Sequence, residues 1–130
     1  MPLITLSRGT HGTVRNQLDD GAWCVACLCA AWCDVCVAFR GSFEALAALH
    51  PDLLFVWIDI EDEADLVGDI DVENFPTLLI QRADQVCFFG PVEPDTRSIE
   101  RLIQAQTHTH GAASGADQHV DLLVRLRALA

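Results

Sequence analysis

Two long apolar runs constrain the fold of this chain more than any other feature. Residues 23–30 and 53–60 consist almost entirely of apolar and thiol-bearing side chains. Runs of this length without polar alternation are typical of strands buried on both faces, as in a parallel sheet covered by helices. The sequence therefore favours an α/β fold in which these two runs are central strands.

Helical and hairpin patterns complete the predicted architecture. Apolar residues recur at three- and four-residue steps from Val35 to Leu49, which predicts a helix that begins just after Cys33. Residues 77–80 and 86–89 read as two short strands joined by a tight polar turn, a hairpin. With short helices at 13–20, within 61–71 and at 94–106, the order is β-α-β-α-β-α-β-β-α. This order predicts a mixed sheet of four to five strands flanked by helices.

The chain divides into one domain and a short extension. Its 130 residues fit a single domain with a hydrophobic core, which we place at residues 1–106. Residues 107–116 are small and polar and predict a linker. Residues 117–130 predict an additional C-terminal helix with two apolar lines. The helix should dock on something, either its own domain or a second subunit.

Charge limits the classes of partner. The chain has 8 arginines, no lysines and 19 acidic residues, so its formal net charge is −11. Such a chain repels phosphate, so nucleic acid and anionic membranes are poor partners. No basic, apolar leader and no apolar stretch of about 18 residues is visible, which predicts a cytoplasmic protein.

Cysteine placement points to redox chemistry. Five of the six cysteines lie in residues 24–36, which is too tight a cluster for a disulfide scaffold. Cys33 and Cys36 stand where the buried strand gives way to a helix, and a helix N-terminus stabilises a thiolate. Two intervening residues allow the sulfurs to form a disulfide. We expect Cys33 to be the exposed nucleophile and Cys36 the covered, resolving thiol.

Metal ligation is the alternative use of these thiols. Cys24 with Cys27 and Cys33 with Cys36 form two pairs of the kind found in zinc sites. The gap between the pairs is short, however, and strand alternation places Cys24 and Cys27 on opposite faces. We expect neither a metal nor another cofactor, with an iron–sulfur cluster bridging two subunits through Cys33 as a minor variant.

Two motifs together resemble the thioredoxin family. They are the stretch at residues 31–36, Ala-Trp-Cys-Asp-Val-Cys, and the triplet Phe75-Pro76-Thr77. The resemblance covers residues 3–106 and implies the thioredoxin fold. It also implies that Cys33 is the nucleophile, that Cys36 resolves, and that Pro76 is a cis-proline. The backbone of Phe75 would pair with an extended substrate, while Trp32 and Gly90 would line the docking surface.

The chain departs from the family pattern beneath the dithiol. The family's buried acid and lysine are replaced by Cys27 and Trp57, and a second tryptophan is replaced by Cys29. Cys27 and Cys29 share one side of their strand and should lie under the active-site helix. They are either small buried residues or auxiliary thiols that accept the disulfide from Cys33 and Cys36.

Two functions remain open from the sequence. The first is a thiol–disulfide oxidoreductase that reduces protein disulfides and is regenerated by an upstream disulfide reductase. The second is an adaptor or assembly chaperone that binds a partner through the Phe75–Pro76 groove with little redox turnover. The dithiol and Pro76 favour the first, and the missing acid and lysine favour the second. The oligomeric state is left open.

Overall fold

A five-stranded sheet lies between two layers of helices. The computed structural model describes residues 3–70, 72–107 and 118–129. The elements in chain order are β1 (Ile4–Thr5), α1 (His11–Asp19), β2 (Trp23–Cys29), α2 (Asp34–Leu49), β3 (Leu54–Asp59), α3 (Ala64–Val67), β4 (Thr77–Arg82), β5 (Gln85–Pro91), α4 (Thr96–Thr107), a 3-10 turn (Gln118–Val120) and α5 (Leu122–Leu129). None of the helices in these ranges is long and apolar enough to cross a bilayer.

The sheet is mixed, as predicted. Its strand order is β1-β3-β2-β4-β5, with β1, β3 and β2 parallel. β4 runs antiparallel to β2, and β5 forms a hairpin with β4. The two long apolar runs therefore occupy neighbouring central positions, where both faces of each strand are covered.

Side chains of β2 alternate between the two helical layers. Cys24 is buried in the layer that contains α1, α3 and α5. Cys27 and Cys29 are buried in the opposite layer, against α2 and α4. This confirms that Cys27 and Cys29 share a face and that Cys24 lies on the other one. A single metal ion cannot collect Cys24 and Cys27 across the sheet.

The C-terminal helix α5 packs on its own domain. Leu122, Leu123 and Leu126 are buried in the layer with α1 and α3. The Gln81 side chain donates to Asp121 Oδ1 at 3.0 Å and accepts from the Leu122 N–H at 2.8 Å. Because these polar groups are buried and satisfied, the segment is part of the core. The predicted linker at residues 107–116 lies outside the described residues except for Thr107, which ends α4.

Loss of a buried side chain from α5 should destabilise the whole domain. Leu123 is 1% exposed, so Leu123→Ala leaves a cavity and should lower the free energy of unfolding by about 2–5 kcal/mol. Val124, its neighbour, is 54% exposed, and Val124→Ala should change that free energy by at most about 0.5 kcal/mol. Urea unfolding monitored by circular dichroism measures both. Equal, small effects would show that α5 is a separable appendage.

Candidate active site

Cys33 occupies the amino end of α2. It is the N-cap residue, with extended backbone angles of φ −89° and ψ 113°. Its carbonyl accepts the Val37 N–H at 3.0 Å, and its own N–H donates to the Ala30 carbonyl at 3.0 Å. The side chain is half-buried and carries a free thiol. The first-turn N–H groups of a helix lack intrahelical partners and favour negative charge nearby, so this position suits a sulfur nucleophile.

Cys36 is bonded to Cys29 in this structure, not to Cys33. The sequence analysis expected the pair Cys33–Cys36, whose members are three residues apart. Cys29 instead ends β2 with its side chain toward α2, and the Cα atoms of Cys29 and Cys36 are 5.8 Å apart. That separation is usual for a disulfide. Both residues are 1% exposed, so the bond is sealed from solvent.

Cys27 lies directly beside this disulfide. Its sulfur is 3.5 Å from the sulfur of Cys29. Cys27 pairs with Trp57 on β3 and with Leu78 on β4, so it is enclosed on both sides. Burial raises the pKa of the Cys27 thiol well above its ordinary range, and the positive charge of Arg40 offsets part of that shift. Cys27 is therefore a neutral thiol at physiological pH.

The Trp57 ring covers the site from β3 and carries a cation on its outer face. The guanidinium of Arg40, on α2, lies 4.9 Å from the centroid of the Trp57 ring. This is within the range of a cation–π contact. The family resemblance places a buried acid and a lysine at the positions of Cys27 and Trp57. In this chain the two residues are instead a thiol and an indole, and they are register partners on the parallel strands β2 and β3.

An exposed aromatic surface surrounds Cys33. Trp32 is 66% exposed and meets the Phe75 ring edge-on, with ring centroids 5.5 Å apart. The peptide bond between Phe75 and Pro76 is cis, as the resemblance implied. Val35 and Val37 add exposed apolar area on the first turns of α2. The predicted site residues Trp32, Phe75 and Pro76 therefore lie together.

Gly90 stands on β5, opposite Leu78 of β4. A Cβ atom added at Gly90 would meet the Phe88 ring at 3.6 Å, which is an ordinary contact. The fold of this chain therefore does not itself demand a glycine at this position. The role expected from the resemblance, close approach of a substrate, stays a prediction.

Sequence reasoning missed Asp59, which ends β3. One carboxylate oxygen accepts the Ala31 N–H at 3.0 Å, and the other accepts the N–H groups of Glu61 and Asp62 at 2.9 and 3.1 Å. Asp59 thereby fixes the loop that leads to Trp32. The available signal was that parallel strands β2 and β3 end at the same edge of the sheet.

A cleft of about 310 Å³ opens beside Cys36. Its lining combines apolar residues with Arg40 and Asp59. The cleft therefore lies next to Cys36 on the side of Arg40 and Trp57, although Cys36 itself is only 1% exposed.

The sequence pattern of the family described as Thioredoxin matches residues 11–105. This range contains every element from α1 to β5, α4 up to residue 105, and all the site residues named above. The chain belongs to the thioredoxin family. The predicted thioredoxin fold, with a five-stranded mixed sheet and an additional C-terminal helix, is confirmed.

Individual thioredoxins resemble most of the chain. Thioredoxin H4-2 of Oryza sativa subsp. japonica is 30% identical over 105 residues, which cover 79% of this chain and 77% of that protein. The thioredoxin-like protein CXXS1 of the same plant is 27% identical over 105 residues, covering 80% and 77%. A crystal structure of a poplar thioredoxin h superposes with a TM-score of 0.73 at 19% identity, covering 85% of this chain and 100% of that one.

These similarities support a thiol–disulfide oxidoreductase, and none of them favours the adaptor alternative. Such an enzyme exchanges a dithiol for a disulfide with another protein. This thioredoxin-family chain carries four cysteines on one side of its sheet, at or beneath the start of α2.

Native-state alkylation should distinguish the thiols by burial. Cys33 should react with iodoacetamide at neutral pH, whereas Cys24, whose pKa burial raises to about 12, and Cys27 should react only after unfolding. Cys87 should react more slowly than Cys33, because partial burial raises its pKa. Mass spectrometry of chymotryptic peptides reads out each position. Equal rates for Cys27 and Cys33 in the folded protein would contradict the described burial.

Proposed function

We propose that this thioredoxin reduces disulfides in other proteins, with Cys33 as nucleophile and Cys36 as resolving thiol. One observation carries the proposal: the start of α2 presents the free thiol of Cys33 and seals Cys36, one turn later, at 1% exposure. An accessible thiol can attack a partner. A sealed one is kept for the intramolecular step.

The reaction begins from the fully reduced chain, in which the Cys29–Cys36 bond has been opened. The Cys33 thiolate attacks a substrate disulfide, forms a mixed disulfide and releases the first substrate thiolate. Cys36 then attacks the Cys33 sulfur, which releases the second substrate thiolate and joins Cys33 to Cys36. Two electrons pass from the chain to the substrate, and the two protons of the chain's thiols end on the substrate's thiols.

The exposed Trp32 ring and the loop of Phe75 and Pro76 support binding of an extended protein segment, and the proposal assigns Gly90 to the same docking surface. The hydrogen bonds of the proline loop run from the Thr77 hydroxyl to the Asn74 carbonyl and from the Val92 N–H to the Pro76 carbonyl. They leave the backbone of Phe75 available for a substrate strand. The exposed Trp32 ring, held against Phe75, adds apolar contact area at low entropic cost.

The oxidised chain needs an electron donor before the next turnover. We propose an upstream disulfide reductase in a reducing compartment such as the cytoplasm, because the composition gives no reason for an oxidising one. Substrates are proteins and not nucleic acids or anionic lipid, since the net charge of −11 repels phosphate.

Insulin reduction tests the assignment of Cys33. Wild type should accelerate the precipitation of insulin by dithiothreitol, and Cys33→Ser should fall to the rate of dithiothreitol alone, because the mixed disulfide cannot form. Cys87→Ser, which removes another half-buried thiol, should keep the wild-type rate. An inactive wild type would favour the adaptor, and an active Cys33→Ser would reject Cys33 as the nucleophile.

A methyl group at Gly90 should impair the reduction of protein substrates more than the reduction of small disulfides. Gly90→Ala should leave the fold intact, because the added Cβ meets only the Phe88 ring at 3.6 Å. It should raise KM for insulin and affect the small disulfide of Ellman's reagent much less. The matched control is Gly41→Ala, which adds a methyl to an open position on α2. If activity falls equally with both substrates, or falls as much in Gly41→Ala, Gly90 is not part of the docking surface.

A further inference from the structure

We propose that Cys29 is a second resolving thiol, which takes the disulfide from Cys33–Cys36 and leaves Cys33 free while the protein is oxidised. This inference rests on the proposed function, since it continues the reaction after substrate release. The structure holds the end point of the transfer: a bonded, buried pair Cys29–Cys36 and a free Cys33.

The geometry allows Cys36 to exchange partners without a change of fold. Cys36 lies one turn inside α2, with Cys33 before it on the same helix and Cys29 beneath it on β2. The Cα atoms of Cys29 and Cys36 are already 5.8 Å apart. Both residues belong to one buried cluster between the sheet and α2, so the exchange needs only side-chain movement.

The transfer step is an internal thiol–disulfide exchange. The Cys29 thiolate attacks the Cys36 sulfur of the Cys33–Cys36 disulfide, a Cys29–Cys36 bond forms, and Cys33 leaves as a thiolate. The proton lost by Cys29 is balanced by the one gained at Cys33. One disulfide breaks and one forms, so no external oxidant or reductant takes part.

Cys27 assists this step as a positioning residue. Its sulfur is 3.5 Å from the Cys29 sulfur, within reach of an S–H···S hydrogen bond. Because burial keeps Cys27 protonated, its S–H can donate to the negative sulfur of Cys29 in a site that offers few other donors. The Cys29 and Cys27 side chains share one face of β2, which is what holds the two sulfurs together.

The direction of transfer follows from the position of the cysteine that remains outside the disulfide. With Cys33 bonded to Cys36, the remaining thiol is Cys29, which is 1% exposed. With Cys29 bonded to Cys36, the remaining thiol is Cys33, half-buried at a helix N-terminus. Burial penalises a charged sulfur at Cys29, whereas a sulfur at the half-buried Cys33 can contact water, so exchange runs inward. The oxidised disulfide is thereby hidden from the reduced product.

Disulfide mapping tests the proposal without relying on insulin activity. Fully reduced protein is treated with one equivalent of diamide, quenched in acid, alkylated and digested with chymotrypsin, which cuts after Trp32 and Phe39. The wild type should give a cross-link between the peptides containing Cys29 and Cys36, with Cys33 alkylated. In Cys29→Ser the peptide of residues 33–39 should instead contain an internal Cys33–Cys36 disulfide.

Cys24→Ala is the matched control, because it removes a buried thiol of the same strand on the opposite face, and it should yield the Cys29–Cys36 cross-link at the wild-type rate. Cys27→Ala, which removes the S–H donor, should yield the same cross-link more slowly in a quenched time course, and an unchanged rate would reject Cys27 as a positioning residue. A wild type that ends in the internal Cys33–Cys36 disulfide would overturn the inference and leave the proposed function untouched. A Cys29→Ser that folds, by circular dichroism, yet forms no Cys33–Cys36 bond would contradict the proposed function as well, because Cys36 could not then resolve a mixed disulfide on Cys33. If Cys29→Ser does not fold, the wild-type map alone decides.

Discussion

The packing of α2 against one face of β2 is the constraint on which the site depends. Both faces of β2 are covered, so strict alternation directs Cys27 and Cys29 toward α2. Aromatic contacts on that face, such as the ring pair Phe43–Phe55 with centroids 5.2 Å apart, hold the helix in place. With the helix fixed, its N-cap residue Cys33 is partly exposed to solvent and its first turn places Cys36 against the strand.

The same arrangement gives four cysteine side chains of identical chemistry different degrees of burial. Cys33, Cys36, Cys29 and Cys27 are all thiol-bearing residues within one small region, yet they differ in depth. Depth decides whether a sulfur can carry charge, since burial disfavours the thiolate while a helix N-terminus favours it. Burial thus sets Cys33, which is half-buried, apart from Cys27, Cys29 and Cys36, which are at most 1% exposed, and the proposed reaction assigns attack on a partner to Cys33 alone.

Sequence reasoning predicted what depends on local pattern and missed what depends on tertiary contact. The apolar runs, the helical spacing after Cys33 and the hairpin gave the element order, and alternation placed Cys27 and Cys29 correctly. The partner of Cys36 was not predictable, because spacing along the chain favours Cys33 while only the register of β2 against α2 brings Cys29 near. Likewise, nothing local links Asp59 to Ala31 or Gln81 to Asp121.

Asp59, which lies at the end of β3, does not replace the buried acid that the family resemblance leads one to expect. Asp59 lines the cleft beside Cys36, but both of its oxygens already accept backbone N–H groups, from Ala31 on one side and from Glu61 and Asp62 on the other. A carboxylate engaged in this way acts by fixing the loop before Trp32. In the exchange proposed above, the polar group next to the Cys29 sulfur is therefore the Cys27 thiol, 3.5 Å away. That proposal assigns to sulfur what the family pattern assigns to oxygen and nitrogen.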